Sequence, residues 1–441
     1  MKKYCVARMQ GKILSFLLDE QGHALEIHCD AEDDAESRKI PKLGDIYIGR
    51  VQSVVKNIQA AFVEISPGTI CYLPLEDVEK TDGGKGLETK EKGYFPVLYT
   101  KKGSSPQIQQ GDELAVQIFR EAVKTKVPAV TTRMSFSGKY GILDLGHPGI
   151  GVSRKLPEFE RERLREIGKL FLEKYAEKKD SDSRIPGKKD LAHWNKEIGE
   201  PGEIGIVLRT NAAKAREEEI FEELRQLVRQ MEHISETARY RTCYSCLFQS
   251  PVSWMKRLLS LHMDEIEAIR IEEDDLYQQA EEFIRENNPE LQKRLIRYQD
   301  DLLSMEKMFS LERELKNALS QQVWLDCGGY LVIQPTEALT VIDVNSGKCD
   351  FGKKKEEAIR KVNLEAARET ARQLRLRNLS GIILVDFINM QQEASKRQVM
   401  ETLRHLLTLD PVQAHVVDIT KLGLVEITRK KTEKPLYESL R

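Results

Sequence analysis

This chain of 441 residues lacks the features that mark several large classes of protein. Its seven cysteines are odd in number and scattered, which excludes a disulfide framework and indicates a reducing compartment. No run approaches the ~20 apolar residues that a membrane-spanning helix needs. Met1-Lys-Lys is not followed by the apolar core of a signal peptide. We therefore expect a cytoplasmic protein without a membrane span.

An excess of basic charge is also absent, because 69 lysines and arginines face 71 aspartates and glutamates. A nucleic-acid-binding surface would therefore have to be local. None of the eight histidines forms an HxH or HExxH pattern. The single pair Cys243-x-x-Cys246 has no second pair at zinc-finger spacing. We accordingly predict no zinc site from these residues.

What is present is a pair of aspartates, Asp343 and Asp386, each at the end of a short run rich in valine and isoleucine. Such runs are typical of buried strands, and Lys353 to Arg377 between them has a helical period. Strand, helix and strand predict a βαβ unit, whose parallel strands end at one edge about 4.8 Å apart. Asn345 faces the same side as Asp343. These oxygens suit Mg²⁺, although two carboxylates that only cap helices would give the same spacing.

Three motifs around these residues resemble the catalytic core of the ribonuclease E/G family, and the resemblance extends from about Tyr4 to the end of the chain. The motifs are Ile342-Asp-Val-Asn-Ser-Gly347, Asn363-Leu-Glu-Ala-Ala-Arg-Glu-Thr-Ala-Arg-Gln-Leu-Arg-Leu-Arg377 and Gly381-Ile-Ile-Leu-Val-Asp-Phe-Ile-Asn-Met390. The resemblance implies an endoribonuclease of RNA processing and decay that cuts single-stranded, AU-rich RNA with Mg²⁺. Asp343 and Asp386 would hold the metal, and Asn345 would orient the site. The products would carry 5′-phosphate and 3′-hydroxyl ends.

The same resemblance implies an α/β multidomain fold. Its expected parts are a ribonuclease-H-like subdomain in two pieces, an OB-fold RNA-binding barrel, a 5′-sensor domain and a deoxyribonuclease-I-like catalytic α/β domain. In that order they would cover 1–40 with 254–317, 41–134, 135–253 and 318–441.

The residue pattern alone gives a coarser organisation. Short strands with glycine punctuation between Gly44 and Phe119 predict a small OB-type barrel. Residues 1–40 are predicted to form a strand pair. Polar composition predicts loops at 79–106 and 176–203, and residues 212–238 and 254–320 are predicted to be mainly helical.

Three residues of the barrel match positions at which the family binds RNA. Phe62 and Tyr72 match aromatic residues that hold the RNA, and Lys126 matches a lysine near the scissile strand. OB folds bind single strands by stacking bases on exposed aromatic rings. Without the resemblance, the apolar run around Phe62 would predict that its side chain packs in the core.

A second set of residues matches the family's sensor for the 5′-monophosphate of RNA. Arg209 and Thr210 end a predicted strand, and a guanidinium beside a hydroxyl can grip a phosphate. Gly138 and Ile142 match residues that line the pocket, and Arg429 matches an arginine that holds the pair in place. On the pattern alone, Arg209 would be an ordinary arginine at a strand end.

Members of the family usually continue into a Cys-Pro-x-Cys motif through which two subunits share a zinc ion. This sequence stops at Arg441, before such a motif. We therefore expect no structural Zn²⁺ in this chain, and a homodimer that is weak without the zinc link. The alternative to an enzyme is an RNA-binding scaffold that has lost activity, against which Asp343, Asn345 and Asp386 argue.

Overall fold

The computed structural model of the chain describes residues 1–31, 40–78, 98–103, 107–122, 126–145, 148–183, 204–349, 355–431 and 433–440. It is a mixed α/β structure, as predicted. It divides into two compact units, one of Met1–Ser37 with Val252–Arg441 and one of Arg38–Pro251. In the described ranges, no helix has both the length and the apolar character needed to cross a membrane.

The strands follow one another along the whole chain. In order they are β1 (Lys2–Met9), β2 (Lys12–Leu18), β3 (Ala24–Ala31), β4 (Ile46–Val55), β5 (Ala60–Ser66), β6 (Thr69–Pro74), β7 (Tyr99–Lys101), β8 (Glu113–Arg120), β9 (Ala129–Thr131), β10 (Ser135–Ser137), β11 (Gly141–Leu145), β12 (Gly149–Val152), β13 (Ile204–Leu208), β14 (Cys246–Phe248), β15 (Ile266–Ile271), β16 (Leu295–Arg297), β17 (Gln322–Trp324), β18 (Tyr330–Pro335), β19 (Leu339–Asn345), β20 (Gly381–Asp386), β21 (Ala414–Ile419) and β22 (Val425–Arg429).

The helices are concentrated in the second half of the chain. In order they are α1 (Glu158–Ser183), α2 (Glu217–Ala238), α3 (Ser253–Ser260), α4 (Asp274–Asn287), α5 (Met305–Met308), α6 (Leu311–Leu319), α7 (Lys355–Leu376), α8 (Glu393–Thr408) and α9 (Leu436–Ser439).

The first sheet of the discontinuous unit joins the start of the chain to its middle. Its strand order is β16-β15-β1-β2-β3, with β1 parallel to β15 and antiparallel to β2. One expectation was wrong here, because residues 1–40 contribute three strands rather than a pair. The expectation that 254–320 is mainly helical is confirmed, although this stretch also contains β15 and β16. The run Ile266-Glu-Ala-Ile-Arg-Ile271 contains three isoleucines, which favour a strand, but the charged helical segments around it obscured that signal.

The second sheet of this unit carries the two aspartates and has the order β17-β18-β19-β20-β22-β21. The predicted βαβ unit is confirmed, because β19 and β20 pair in parallel and α7 connects them. The prediction that these strands are buried holds for only one of their two faces. In β19 and β20 buried residues alternate with more exposed ones. The buried side chains pack against α7 and α8, and the other face, called here the open face, is accessible to solvent.

The continuous unit contains the predicted closed barrel. Strands β4, β5, β6, β9 and β8 pair in sequence, and β8 pairs back to β4. Its core is filled by residues such as Val63, Ile65 and Leu73, all without solvent exposure. The expected loop at 79–106 falls mostly outside the described residues, and the described stretch 98–103 contains β7.

The same unit contains a four-stranded sheet of order β10-β11-β13-β12, against which α1 and α2 pack. The prediction of a loop at 176–203 was wrong in its first part, because α1 continues to Ser183. That stretch continues with Ala, Glu and Lys, which are strong helix formers, so the polar composition did not end the helix. Residues 184–203 lie outside the described part of the chain.

Candidate functional site

The carboxylates of Asp343 and Asp386 lie side by side at one edge of the six-stranded sheet. The two residues are direct partners in the parallel pairing of β19 with β20. Their chain neighbours Ile342, Val344 and Val385 are buried, whereas both aspartates are exposed. The two-residue alternation of a strand therefore turns the apolar side chains into the core and both carboxylates onto the open face.

Asn345 fixes the orientation of one of these carboxylates. It lies two residues beyond Asp343 on the same face, and its Nδ2 donates a hydrogen bond to Oδ2 of Asp343 at 2.8 Å. The amide oxygen of Asn345 adds a further oxygen donor at this edge. The structure thus brings together all three residues that the sequence predicted for the catalytic centre.

The donor set fits a hard divalent cation. Mg²⁺ in proteins is usually held by one or two carboxylates and keeps several waters, and it does not require a cage of protein ligands. Asp343 and Asp386 supply two such carboxylates from adjacent strands. Within the described ranges no group of three or more His, Cys, Asp or Glu side chains is arranged to hold a metal.

Asn363 is a positioning residue that the sequence analysis did not single out. It is fully buried in α7, where its Nδ2 donates to the carbonyl of Ile388 at 2.7 Å and its Oδ1 accepts from the N–H of Ile388 at 3.1 Å. This paired contact fixes the backbone just after Asp386. An asparagine on the apolar face of a helix was the available signal, because buried amides need hydrogen-bond partners.

Phe62 and Tyr72 lie opposite each other on the outside of the barrel. They are partners in the pairing of β5 with β6, and their ring centroids are 6.3 Å apart with an angle of 76° between the planes. The neighbours Ala61 and Val63 point inward and are fully buried, whereas Phe62 is half-buried. Core packing is therefore not the role of Phe62.

Lys126 is exposed and lies three residues before Ala129, the strand partner of Tyr72. The N–H of Tyr72 also donates to the carbonyl of Pro128 at 2.9 Å. The segment that carries the lysine therefore runs beside the aromatic pair. OB folds that bind single-stranded nucleic acid combine exposed aromatic rings with basic residues.

Arg209, Thr210, Gly138 and Ile142 meet at one end of the four-stranded sheet. Arg209 follows β13, and its Nη1 donates to the carbonyl of Gly138 at 2.8 Å, while its backbone N–H donates to the carbonyl of Tyr140 at 2.8 Å. Ile142 pairs with Val207 two residues before Arg209, and Thr210 is exposed. The structure thus assembles four of the five residues predicted to recognise a 5′-phosphate.

Glu223 of α2 organises this end of the sheet, and the sequence analysis missed it. Its carboxylate accepts hydrogen bonds from the backbone N–H groups of Lys139, Tyr140 and Gly141 at 2.7, 2.7 and 2.9 Å. Burial raises the pKa of this carboxyl, although the three N–H groups and Arg209 act in the opposite direction. Gly138 is needed for the close approach, because a Cβ there would lie 2.4 Å from the carboxylate. One glutamate among many in a charged helix gave no signal.

Arg429 has partners that the sequence did not predict. It is buried at the end of β22, where Nε donates to Oδ2 of Asp410 at 2.9 Å. Its Nη1 donates to Oδ1 of Asn378 and to the carbonyl of Leu379 at 2.8 and 3.1 Å. These contacts stabilise the six-stranded sheet of the discontinuous unit. The predicted role of Arg429 beside Arg209 stays a prediction.

Comparison with known proteins identifies the family. The model of the ribonuclease E/G family matches residues 181–432, which is more than half of the chain. The chain belongs to the ribonuclease E/G family. It is 32% identical to Ribonuclease G of Escherichia coli (strain K12) over 402 residues, which cover 90% of this chain and 74% of that protein. As a member of the family, the protein is an endoribonuclease, a hydrolase that cuts RNA internally.

The similarity extends to both branches of the ribonuclease E/G family. Ribonuclease G of Haemophilus influenzae (strain ATCC 51907 / DSM 11121 / KW20 / Rd) is 30% identical over 424 residues, covering 96% of this chain and 78% of that protein. Ribonuclease E of Nostoc sp. (strain PCC 7120 / SAG 25.82 / UTEX 2576) is 30% identical over 400 residues, covering 90% of this chain and 52% of that protein. Both described units therefore lie within the similarity to ribonucleases.

Proposed function

We propose that this ribonuclease is Mg²⁺-dependent and cuts single-stranded, AU-rich RNA to leave 5′-phosphate and 3′-hydroxyl ends. The observation that carries the proposal is the register of β19 and β20, which sets Asp343 directly beside Asp386 on an accessible sheet face. Two adjacent exposed carboxylates cost free energy through mutual repulsion. A divalent cation between them removes that cost.

In this proposal each residue of the edge has a separate task. Asp343 and Asp386 hold the metal, and the hydrogen bond from Asn345 keeps one oxygen of Asp343 oriented. Asn363 keeps the strand end that carries Asp386 in place through Ile388. When bound, Mg²⁺ supplies charge stabilisation at the phosphate and lowers the pKa of a coordinated water.

The barrel is proposed to hold the RNA by stacking. The outward edge-to-face pair of Phe62 and Tyr72 offers apolar ring surface to a base, and Lys126 offers a cation to the phosphate backbone. Stacking tolerates any base, so a preference for AU-rich RNA would come from the ease with which weakly paired segments become single-stranded.

Recognition of a 5′-monophosphate is proposed for the end of the four-stranded sheet. The hydrogen bond to the carbonyl of Gly138 restrains the Arg209 guanidinium, and Thr210 follows it with an exposed hydroxyl. A restrained arginine loses less conformational entropy when it binds a phosphate. We also infer that the five-stranded sheet is ribonuclease-H-like and the six-stranded sheet deoxyribonuclease-I-like, as the family resemblance implies.

The test is cleavage of a single-stranded RNA and of the DNA of the same sequence, each with Mg²⁺ and with a chelator. We expect RNA to be cut only with Mg²⁺, DNA to stay intact, and the downstream product to be ligatable through its 5′-phosphate. RNA binding without cleavage would instead support the scaffold. Equal cutting of DNA would point to a general phosphodiesterase.

A further inference from the structure

The open face of the six-stranded sheet carries two aromatic residues beside the catalytic carboxylates. Trp324 of β17 is the strand partner of Tyr330 of β18, and Tyr330 is the strand partner of Asn345 of β19. Directly paired residues of antiparallel strands point to the same face of a sheet. Trp324, Tyr330 and Asn345 therefore form a row across the open face, and Asp343 is next to Asn345 on that face.

The exposure of Trp324 is unusual for its residue type. Its side chain is 61% exposed, although tryptophan is among the most buried residues on average. Its ring centroid is 5.2 Å from that of Tyr330, with an angle of 57° between the planes. Tyr330 therefore supports the indole from one side, and most of the indole surface remains open to solvent.

The distance to the carboxylates suits a single-stranded RNA. Trp324 is two strands away from Asp343 and Asn345, which corresponds to about 10 Å at the spacing of paired strands. About three stacked nucleotides cover that distance at ~3.4 Å per nucleotide, and an extended strand covers it with fewer. A base close to the cleaved phosphate can therefore reach the indole while the phosphate lies at the carboxylates.

We propose that Trp324, supported by Tyr330, is a stacking subsite for a nucleobase next to the phosphodiester that is cut. This proposal rests on the proposed function of Asp343 and Asp386. A cross-strand aromatic pair that only stabilises the edge strand does not need an indole exposed on the catalytic face. A protein bound to the pair would lie about 10 Å from the carboxylates and would obstruct the RNA.

The chain offers a direct spectroscopic test, because Trp324 is the exposed one of the two described tryptophans. Trp254 is fully buried, and the third, Trp194, can be replaced by phenylalanine. In a Trp194→Phe background we expect a single-stranded RNA, added with a chelator to prevent cleavage, to quench the fluorescence. The quenching should disappear in Trp194→Phe/Trp324→Phe. Quenching of equal size in that double variant, or none in either, would overturn the proposal.

Kinetics then separate stacking from a structural role. Trp324→Phe keeps an aromatic ring and should retain most of kcat/KM for RNA. Trp324→Leu keeps an apolar side chain without a ring and should lose about 5- to 150-fold, the range of one base–aromatic stack. Leu302→Ala is the control, since Leu302 is 97% exposed elsewhere in the same unit and should leave kcat/KM unchanged.

A substrate that lacks one base allows a double-mutant cycle with the Trp324→Leu variant. Removal of the base next to the mapped cleavage site should lower kcat/KM of the unsubstituted protein by about the same factor as Trp324→Leu does. In the Trp324→Leu variant, removal of that base should not lower kcat/KM further. Additive losses, or a Trp324→Leu variant that melts earlier but cuts normally per folded molecule, would overturn the subsite. If the unsubstituted protein did not cut RNA, the proposed function would fail first, and the fluorescence test would still decide whether RNA stacks on Trp324.

Discussion

The replacement Phe62→Ala distinguishes RNA stacking from core packing at the barrel surface. The ring lies outside the barrel between two fully buried neighbours and touches Tyr72 edge to face. Loss of one base–aromatic stack costs about 1–3 kcal/mol, which raises Kd for single-stranded RNA about 5- to 150-fold. Loss of the contact between the two rings should lower the free energy of unfolding by only about 0.5–1.5 kcal/mol. At about 2–4 °C per kcal/mol, Tm should fall by at most about 6 °C.

The assay is fluorescence anisotropy with a labelled single-stranded RNA, combined with a thermal melt of each variant. Val63→Ala is the matched control, because Val63 is adjacent in sequence but fully buried in the barrel core. It should lower Tm through loss of about 2 kcal/mol of packing and leave Kd per folded molecule unchanged. A Phe62→Ala variant whose Tm falls by more than about 6 °C, while its Kd per folded molecule stays unchanged, would contradict the stacking role of Phe62.

Contacts elsewhere in the molecule can be tested by single replacements. Arg209→Ala should abolish the preference for 5′-monophosphate over 5′-hydroxyl RNA in kcat/KM, and Arg209→Lys should restore part of it; an unchanged ratio would exclude the sensor role. Asn363→Ala leaves the backbone N–H and carbonyl of Ile388 without their hydrogen-bond partner, so the free energy of unfolding measured in urea should fall by about 1–3 kcal/mol. In the same variant, kcat should fall by a larger factor than KM changes. Burial opposes ionisation of Glu26, but His28 and Arg257, whose Nε is 2.7 Å from the carboxylate, lower the pKa of Glu26 to about 2. This pKa is below the unfolded value of about 4.3, so Glu26→Gln should lower the free energy of unfolding by about 3 kcal/mol at neutral pH. The difference in free energy of unfolding between the two proteins should shrink as the pH falls from about 4.5 towards 2, and a difference that stays constant would contradict the ion pair.

The sheet edge that carries Asp343 and Asp386 could be predicted from sequence because its signals are local. Apolar runs that end in Asp343 and Asp386, with a helical segment between them, define a βαβ unit whose strand ends must meet. The register in which the two aspartates are direct partners is an observation of the structure that the topology alone does not determine. The exposure of the carboxylates did not follow from the topology either. Whether a strand is covered on one face or two depends on which helices pack against it, and the sequence of the strand does not determine those helices.

The parts that escaped prediction depend on contacts distant in sequence. Glu223 reaches the turn at Lys139 from a helix more than eighty residues later, and Arg429 finds Asp410 across a hairpin. Nothing in the local pattern of either residue identifies its partner. Trp324 illustrates the same limit, since its place on the same sheet face as Asn345, two strands away, follows from two successive strand pairings.

Mg²⁺-dependent cleavage by Asp343→Asn and by Asp386→Asn tests the proposed catalytic centre most directly. Each replacement removes one of the two adjacent negative charges and nearly preserves side-chain shape. We expect kcat/KM for single-stranded RNA to fall about a thousandfold in both variants, which corresponds to about 4 kcal/mol, while Kd for RNA and Tm stay near those of the unsubstituted protein. Substantial Mg²⁺-dependent cutting by either variant would contradict the assignment of the catalytic centre to these aspartates.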